Sequence, residues 1–112
     1  MQTIKIPNKE KQVIFSFKKA LEKSLGQNLV SLQLFGSKAR GNYRKDSDID
    51  LLLILREKNH RVEEIIYNIV TDLMLKSGIY LSVKIFDLKS FEKLNQIPTV
   101  FMQKIKEEAV KL

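Results

Sequence analysis

Apolar residues recur along this chain with two periods, one near 3.6 and one of 2, and the switches between them mark its elements. After Pro7-Asn8, the stripe Val13, Ile14, Phe17, Ala20, Leu21, Ser24 and Leu25 predicts an amphipathic helix, with Gly26 as its C′ residue. Val30, Leu32 and Leu34 alternate with polar neighbours, which predicts a strand from Asn28 to Phe35. A short helical turn over Lys38 to Gly41 and a polar loop over Asn42 to Lys45 follow. Asp48 to Leu55 is a second strand, apolar enough to be covered on both faces. Val62, Ile65, Ile66, Ile69, Val70, Leu73 and Met74 form the clearest helical stripe, with Glu63 and Glu64 in the first turn and Gly78 closing it. Ile79 to Phe86 reads as a third strand. Asp87 caps a short helix from Leu88 to Leu94. Pro98 fits the first position of a last helix ending near Glu107 or Glu108, and Ala109 to Leu112 adds a short edge strand. The order is that of one α/β unit.

Composition narrows the classes. The chain has 112 residues, so a single domain over 1–112 is expected, one that buries about two-thirds of its unfolded surface. It contains no cysteine, which excludes disulfides and thiolate metal sites. Met1 to Lys5 lacks an apolar signal region and no apolar run is long enough to span a bilayer, so a cytoplasmic protein without membrane contact is expected. The 20 basic and 13 acidic residues leave a net charge of +7, which suits nucleotide phosphates, an acidic protein or nucleic acid. The lysines are spread from Lys5 to Lys111, and Phe15, Phe17 and Phe91 fall on apolar stripes and read as core. A single-strand groove needs exposed aromatics between its basic residues, so a dedicated nucleic-acid role is not expected. His60, beside Asn59, has no companion ligand and reads as a surface or capping residue.

Two motifs carry chemistry. The first strand runs into Gly36-Ser37-Lys38-Ala39-Arg40-Gly41, and seven residues after Gly41 the pair Asp48-Ile49-Asp50 opens the second. Gly36 has no Cβ, so its backbone can approach a phosphate closely. Ser37 adds a hydroxyl and an amide, and the first amides of a helix starting there attract an anion. Lys38 and Arg40 supply nearby positive charge. Arg40 can equally pair with an acid to hold the turn, since a guanidinium suits a carboxylate in bidentate geometry. Residues two apart on a strand share a face about 7 Å apart, so Asp48 and Asp50 present two carboxylates together. Their repulsion is relieved by a cation, and Mg²⁺ takes one or two carboxylates plus substrate phosphates. Two metals bridging the attacking and leaving oxygens would catalyse phosphoryl or nucleotidyl transfer from a nucleoside triphosphate such as ATP. Asp46 shares strand parity with Asp48 and reads as a loop residue in preference to a third ligand. Tyr43, Arg44 and Lys45 read either as lining the site mouth or as solvated loop.

Gly36-Ser37-x-Ala39-Arg40-Gly41 together with Ser47-Asp48-Ile49-Asp50-Leu51 resembles the signature of the minimal nucleotidyltransferases of the DNA polymerase beta superfamily, and the likeness covers nearly the whole chain. The resemblance implies a short mixed sheet flanked by helices. It implies that Gly36 and Ser37 hold the triphosphate and that Asp48 and Asp50 bind the metals, Mg²⁺ or Mn²⁺. It also implies a third acid on a later strand, which completes the metal site and helps activate the attacking group. Some members are antitoxins that transfer AMP from ATP to a tyrosine of a helical partner toxin. The implied function is transfer of a nucleoside monophosphate to a protein partner. A short chain with no second domain would need that partner, or a second copy of itself, to present the acceptor. The third strand departs from the pattern: it holds no acid, and Ser82 and Lys84 occupy the face where one would lie. Lys84 is therefore expected to reach phosphate. A relative that binds nucleotide and partner with weak catalysis or none is the alternative.

Overall fold

A computed structural model describes residues 5–41 and 48–112 of the chain. Helix α1 (Asn8–Leu25) ends in a 3₁₀ turn (Gly26–Asn28) that leads into β1 (Leu29–Phe35). Then come α2 (Ser37–Arg40), β2 (Ile49–Leu55), α3 (His60–Ser77), β3 (Leu81–Asp87), α4 (Leu88–Asn95), α5 (Val100–Glu108) and β4 (Val110–Lys111). The strands form one sheet in the order β3-β2-β1-β4. β1 is antiparallel to both β2 and β4, whereas β2 and β3 are parallel. A parallel pair needs a crossover, and α3 supplies it. The mixed sheet flanked by helices is thus present.

β2 shows how the chain builds two cores from one strand. Leu51, Leu53 and Leu55 are fully buried on the face that packs against Val13, Ile14, Phe17 and Leu21 of α1 and Ile66 and Val70 of α3. Leu52 and Ile54 face the other way, against Ile105 and the rings of Phe35, Phe86, Phe91 and Phe101. Those rings interlock: Phe35 meets Phe101 edge-on at 6.0 Å between centroids, and Phe86 lies 5.8 Å from Phe91. Burial on both faces is why this strand reads as a near-continuous apolar run instead of an alternating one.

Three local expectations change. Phe15 does not join the core: it lies on the side of α1 away from Val13, Ile14, Phe17 and Leu21, is 55% exposed, and holds the Lys19 ammonium 4.7 Å above its ring. Pro98 is not the first helical residue. Thr99 is the N-cap of α5, its hydroxyl accepting from the Met102 amide at 3.1 Å, so Pro98 stands one place ahead of the cap. Gly26 does close α1, but the backbone continues into the 3₁₀ turn instead of passing straight to a strand. Asp87 caps α4 as expected, accepting from the Ser90 amide at 2.7 Å. Asn59, next to the exposed His60, caps α3 in the same way, accepting from Val62 at 2.9 Å. Among the described residues no helix is long and apolar enough to cross a membrane.

Candidate functional site

The two motifs meet because of strand register. Phe35, the last residue of β1, pairs with Asp50 near the start of β2, so Gly36 emerges directly beside that carboxylate. A Cβ built on Gly36 would come within 2.6 Å of Asp50 Oδ2. The backbone there has φ 77° and ψ −160°, a region open essentially to glycine alone. Gly36 is thus required twice, once for its dihedrals and once for the space the carboxylate fills. From that bend the chain turns at once into α2, whose first hydrogen bonds run from the Ala39 and Arg40 amides back to the Gly36 carbonyl at 3.1 and 3.2 Å. The amides of Ser37 and Lys38 precede those bonds and open the helix beside Asp50.

Parallel pairing of β2 with β3 completes the surroundings. Asp50 is opposite Ser82 and Leu52 is opposite Lys84, so strand alternation puts Ser82 and Lys84 on the same sheet face as Asp50. Asp50 is half-buried. Burial raises its pKa above the ordinary value, the charge of Asp48 raises it further, and the Lys84 ammonium pulls the other way. Asp48 itself is exposed. The donor set is therefore two carboxylates, one recessed against a glycine backbone and one open to solvent. Hard oxygen donors with room for water and phosphate oxygens suit Mg²⁺ or Mn²⁺, and the residues present fit such a cation. Among the described residues no three His, Cys, Asp or Glu side chains come together, so no third acid joins the pair there. Asp46, Tyr43, Arg44, Lys45 and Ser47 lie outside the described residues.

Each of the two cations of the first motif has an acid partner on a distant helix. Lys38 is turned inward and is only 1% exposed, with its ammonium 2.9 Å from Glu10 Oε1 of α1. The reason is burial: α2 packs its inner side on the core through Ala39, and a buried ammonium needs a facing carboxylate. Arg40 Nη1 donates to Glu108 Oε2 at 2.9 Å, which ties α2 to the end of α5. This is the turn-holding alternative for Arg40. Glu10 and Glu108 therefore matter to the site by fixing α2. No sequence signal marks them, because each partner lies on a distant helix. Asp87 is spent on its cap, and its bonds to Ser90 hold its pKa below the ordinary value. A cleft of about 370 Å³ between α4 and α5, around Ile97, Thr99 and Lys106, contains none of the motif residues.

Known proteins similar to this chain show its family and fold. Residues 14–111 match the family model described as "Nucleotidyltransferase domain". A relative from Methanocaldococcus jannaschii, named "Putative protein adenylyltransferase MJ0141", is 34% identical over 76 residues, covering 67% of this chain and 77% of its own. The fold is similar to that of the spectinomycin adenyltransferase AAD(9) from Enterococcus faecialis, solved with ATP and spectinomycin, with TM-score 0.70 and 19% identity over 91% of this chain. This chain spans 55% of that enzyme. It is also similar to a toxin–antitoxin structure with AMP-PNP, with TM-score 0.54 and 20% identity, covering 94% of this chain and 72% of that one. At such identities the solved structures speak for the fold. The family match extends over almost the whole chain and contains both motifs that strand register brings together. The chain therefore belongs to the nucleotidyltransferases of the DNA polymerase beta type.

Proposed function

We propose that this protein transfers AMP from ATP to a hydroxyl group of a protein partner, as the antitoxin-like half of a pair. The observation that supports the reading is the close approach of Gly36 to Asp50, which we read as a phosphate cradle beside a metal-binding carboxylate. The protein-adenylyltransferase name of the archaeal relative and the AMP-PNP in the toxin–antitoxin neighbour support AMP as the transferred group and a protein as the acceptor.

In this reading Gly36 and Ser37 hold the triphosphate, Asp48 and Asp50 hold Mg²⁺ or Mn²⁺, and Lys84 reaches a phosphate oxygen. Lys38 and Arg40 keep α2 in place through Glu10 and Glu108. A cation held by Asp48 and Asp50 would supply positive charge to the phosphates and to the leaving pyrophosphate. The acceptor oxygen attacks the α-phosphorus, the bond from that phosphorus to the bridging oxygen breaks, and pyrophosphate leaves. The hydroxyl proton goes to water or to a group of the partner. General-base help is worth about 10²- to 10⁴-fold, so transfer without a third carboxylate is slow, or waits for the partner.

The test is incubation of the protein and its neighbour-encoded partner with α-labelled ATP and Mg²⁺ or Mn²⁺. Label on the partner that vanishes with Asp48→Asn is the expected result. A tight complex that ATP strengthens, with no label from any nucleoside triphosphate, would replace transfer by nucleotide-dependent docking. That second reading has one observation in its favour, the absence of a third acid beside Asp48 and Asp50 among the described residues.

A further inference from the structure

We infer that this site binds its nucleotide with a single divalent cation, and that the Lys84 ammonium stands where a second cation would act. The inference rests on the nucleotide-binding reading above and concerns how the charge of the triphosphate is met.

The first support is the donor count. Two cations a few ångströms apart need ligands for both, and the phosphates cannot supply all of them. Asp48 and Asp50 with phosphate oxygens and water satisfy one Mg²⁺. Among the described residues no third His, Cys, Asp or Glu side chain joins them.

The second support is what stands on β3 instead. Register sets Ser82 opposite Asp50 and Lys84 opposite Leu52, both on the face that carries Asp50. Lys84 is thus one pair further along the neighbouring strand, roughly 8 Å from Asp50 between Cα atoms on standard strand spacings. A four-carbon stem spans most of that distance. Lys84 is exposed, so its head is not held in the core, and among the described residues it forms no ion pair. A hydroxyl and an ammonium on this face give a second divalent cation no anionic ligand and a like charge to face. The same ammonium offers the triphosphate a charge-assisted hydrogen bond.

The consequence is an exchange of one divalent cation for one fixed positive charge. Fixed charge holds the nucleotide but cannot lower the pKa of an attacking hydroxyl as a metal does. Binding therefore outlasts catalysis in this site, consistent with transfer that is slow without a partner.

The experiment titrates Mn²⁺ into the protein with a non-hydrolysable ATP analogue. Bound Mn²⁺ is counted by electron paramagnetic resonance, and nucleotide affinity is measured by calorimetry. One Mn²⁺ per nucleotide-loaded chain is expected. Lys84→Gln should weaken nucleotide binding by at least about tenfold, the scale of one charge-assisted hydrogen bond. The double variant Ser82→Asp, Lys84→Gln should take up a second Mn²⁺. Two Mn²⁺ in the wild type, or unchanged affinity in Lys84→Gln, overturns the inference; AMP transfer then stands, in the second case without a role for Lys84. Failure of the wild type to bind the nucleotide overturns both.

Discussion

Gly36 and Asp50 set the terms of the site between them, and each makes a measurable demand. An alanine at Gly36 must place a Cβ 2.6 Å from Asp50 Oδ2 while adopting φ 77°. Sparsely allowed backbone costs on the order of 1–3 kcal/mol, so Gly36→Ala should lower unfolding stability by about 2 kcal/mol in urea titration. On the proposed reading it should also abolish Mg²⁺-ATP binding in calorimetry, because it displaces the carboxylate proposed to hold the metal. Asp50 makes its demand through pH. Its folded pKa is raised above 3.8 by burial and by Asp48. Between 3.8 and that raised value the folded chain binds more protons than the unfolded chain, so this group's contribution to stability falls as pH rises through the window. Urea midpoints of wild type and Asp50→Asn measured without metal from pH 3.5 to 7 should diverge, with the variant equal or more stable at pH 7. Mg²⁺ binds the ionised form, so the metal should restore wild-type stability at pH 7 and do little for the variant.

Among the elements, α2 is the one the site depends on most and the one least able to stand alone. Four residues cannot hold a helix by their own hydrogen bonds. The Lys38–Glu10 pair fastens it to α1 and the Arg40–Glu108 pair fastens it to α5. The two pairs differ in weight. Glu10→Gln takes a carboxylate away from a buried ammonium and should cost on the order of 3 kcal/mol. Glu10→Leu with Lys38→Met should recover most of that, since apolar replacement of a buried pair is often neutral. Arg40 is 38% exposed, and Arg40→Ala should cost under about 1 kcal/mol. Thermal melts of the three variants separate these cases. The helix α3 acts by a different route: its crossover makes β3 parallel to β2, and that direction sets Ser82 beside Asp50.

At the scale of the molecule, a single sheet is covered on one face by α1 and α3 and on the other by α4 and α5, through two separate cores. The candidate site sits at the end of that sheet where β1 finishes and β2 and β3 begin. Asp48, at that end, is exposed. The net charge of +7 attracts an anionic nucleotide, and salt screens that attraction. Screening lengths shorten from about 10 Å at 0.1 M salt to about 3 Å at 1 M, so Mg²⁺-ATP affinity should fall severalfold between 0.05 and 0.5 M KCl. Calorimetric titration across that range gives the slope, and Lys84→Gln should flatten it by removing the charge next to the phosphates.

Periodicity and local hydrogen bonding were enough to read most elements from the sequence. The stripes over Val13 to Leu25 and Val62 to Met74 became α1 and α3, Asp87 became a cap, and strand parity put Ser82 and Lys84 on one face. These follow from contacts within a few residues, which one sequence contains in full. Phe15 was a misreading of the same signal, since its angle on the helix sets it away from the buried stripe. The destination of Lys38 lay beyond such reasoning. A four-residue helix has too few positions to show a period, and whether its lysine faces phosphate or core depends on Glu10, brought there by α1. The closeness of Gly36 to Asp50 likewise needed the register of β1 on β2. Sequence alone determined which residues could do this chemistry, because residue type and spacing are local properties. Only the tertiary structure decided which of them meet, because charge burial and strand register are settled by partners far along the chain.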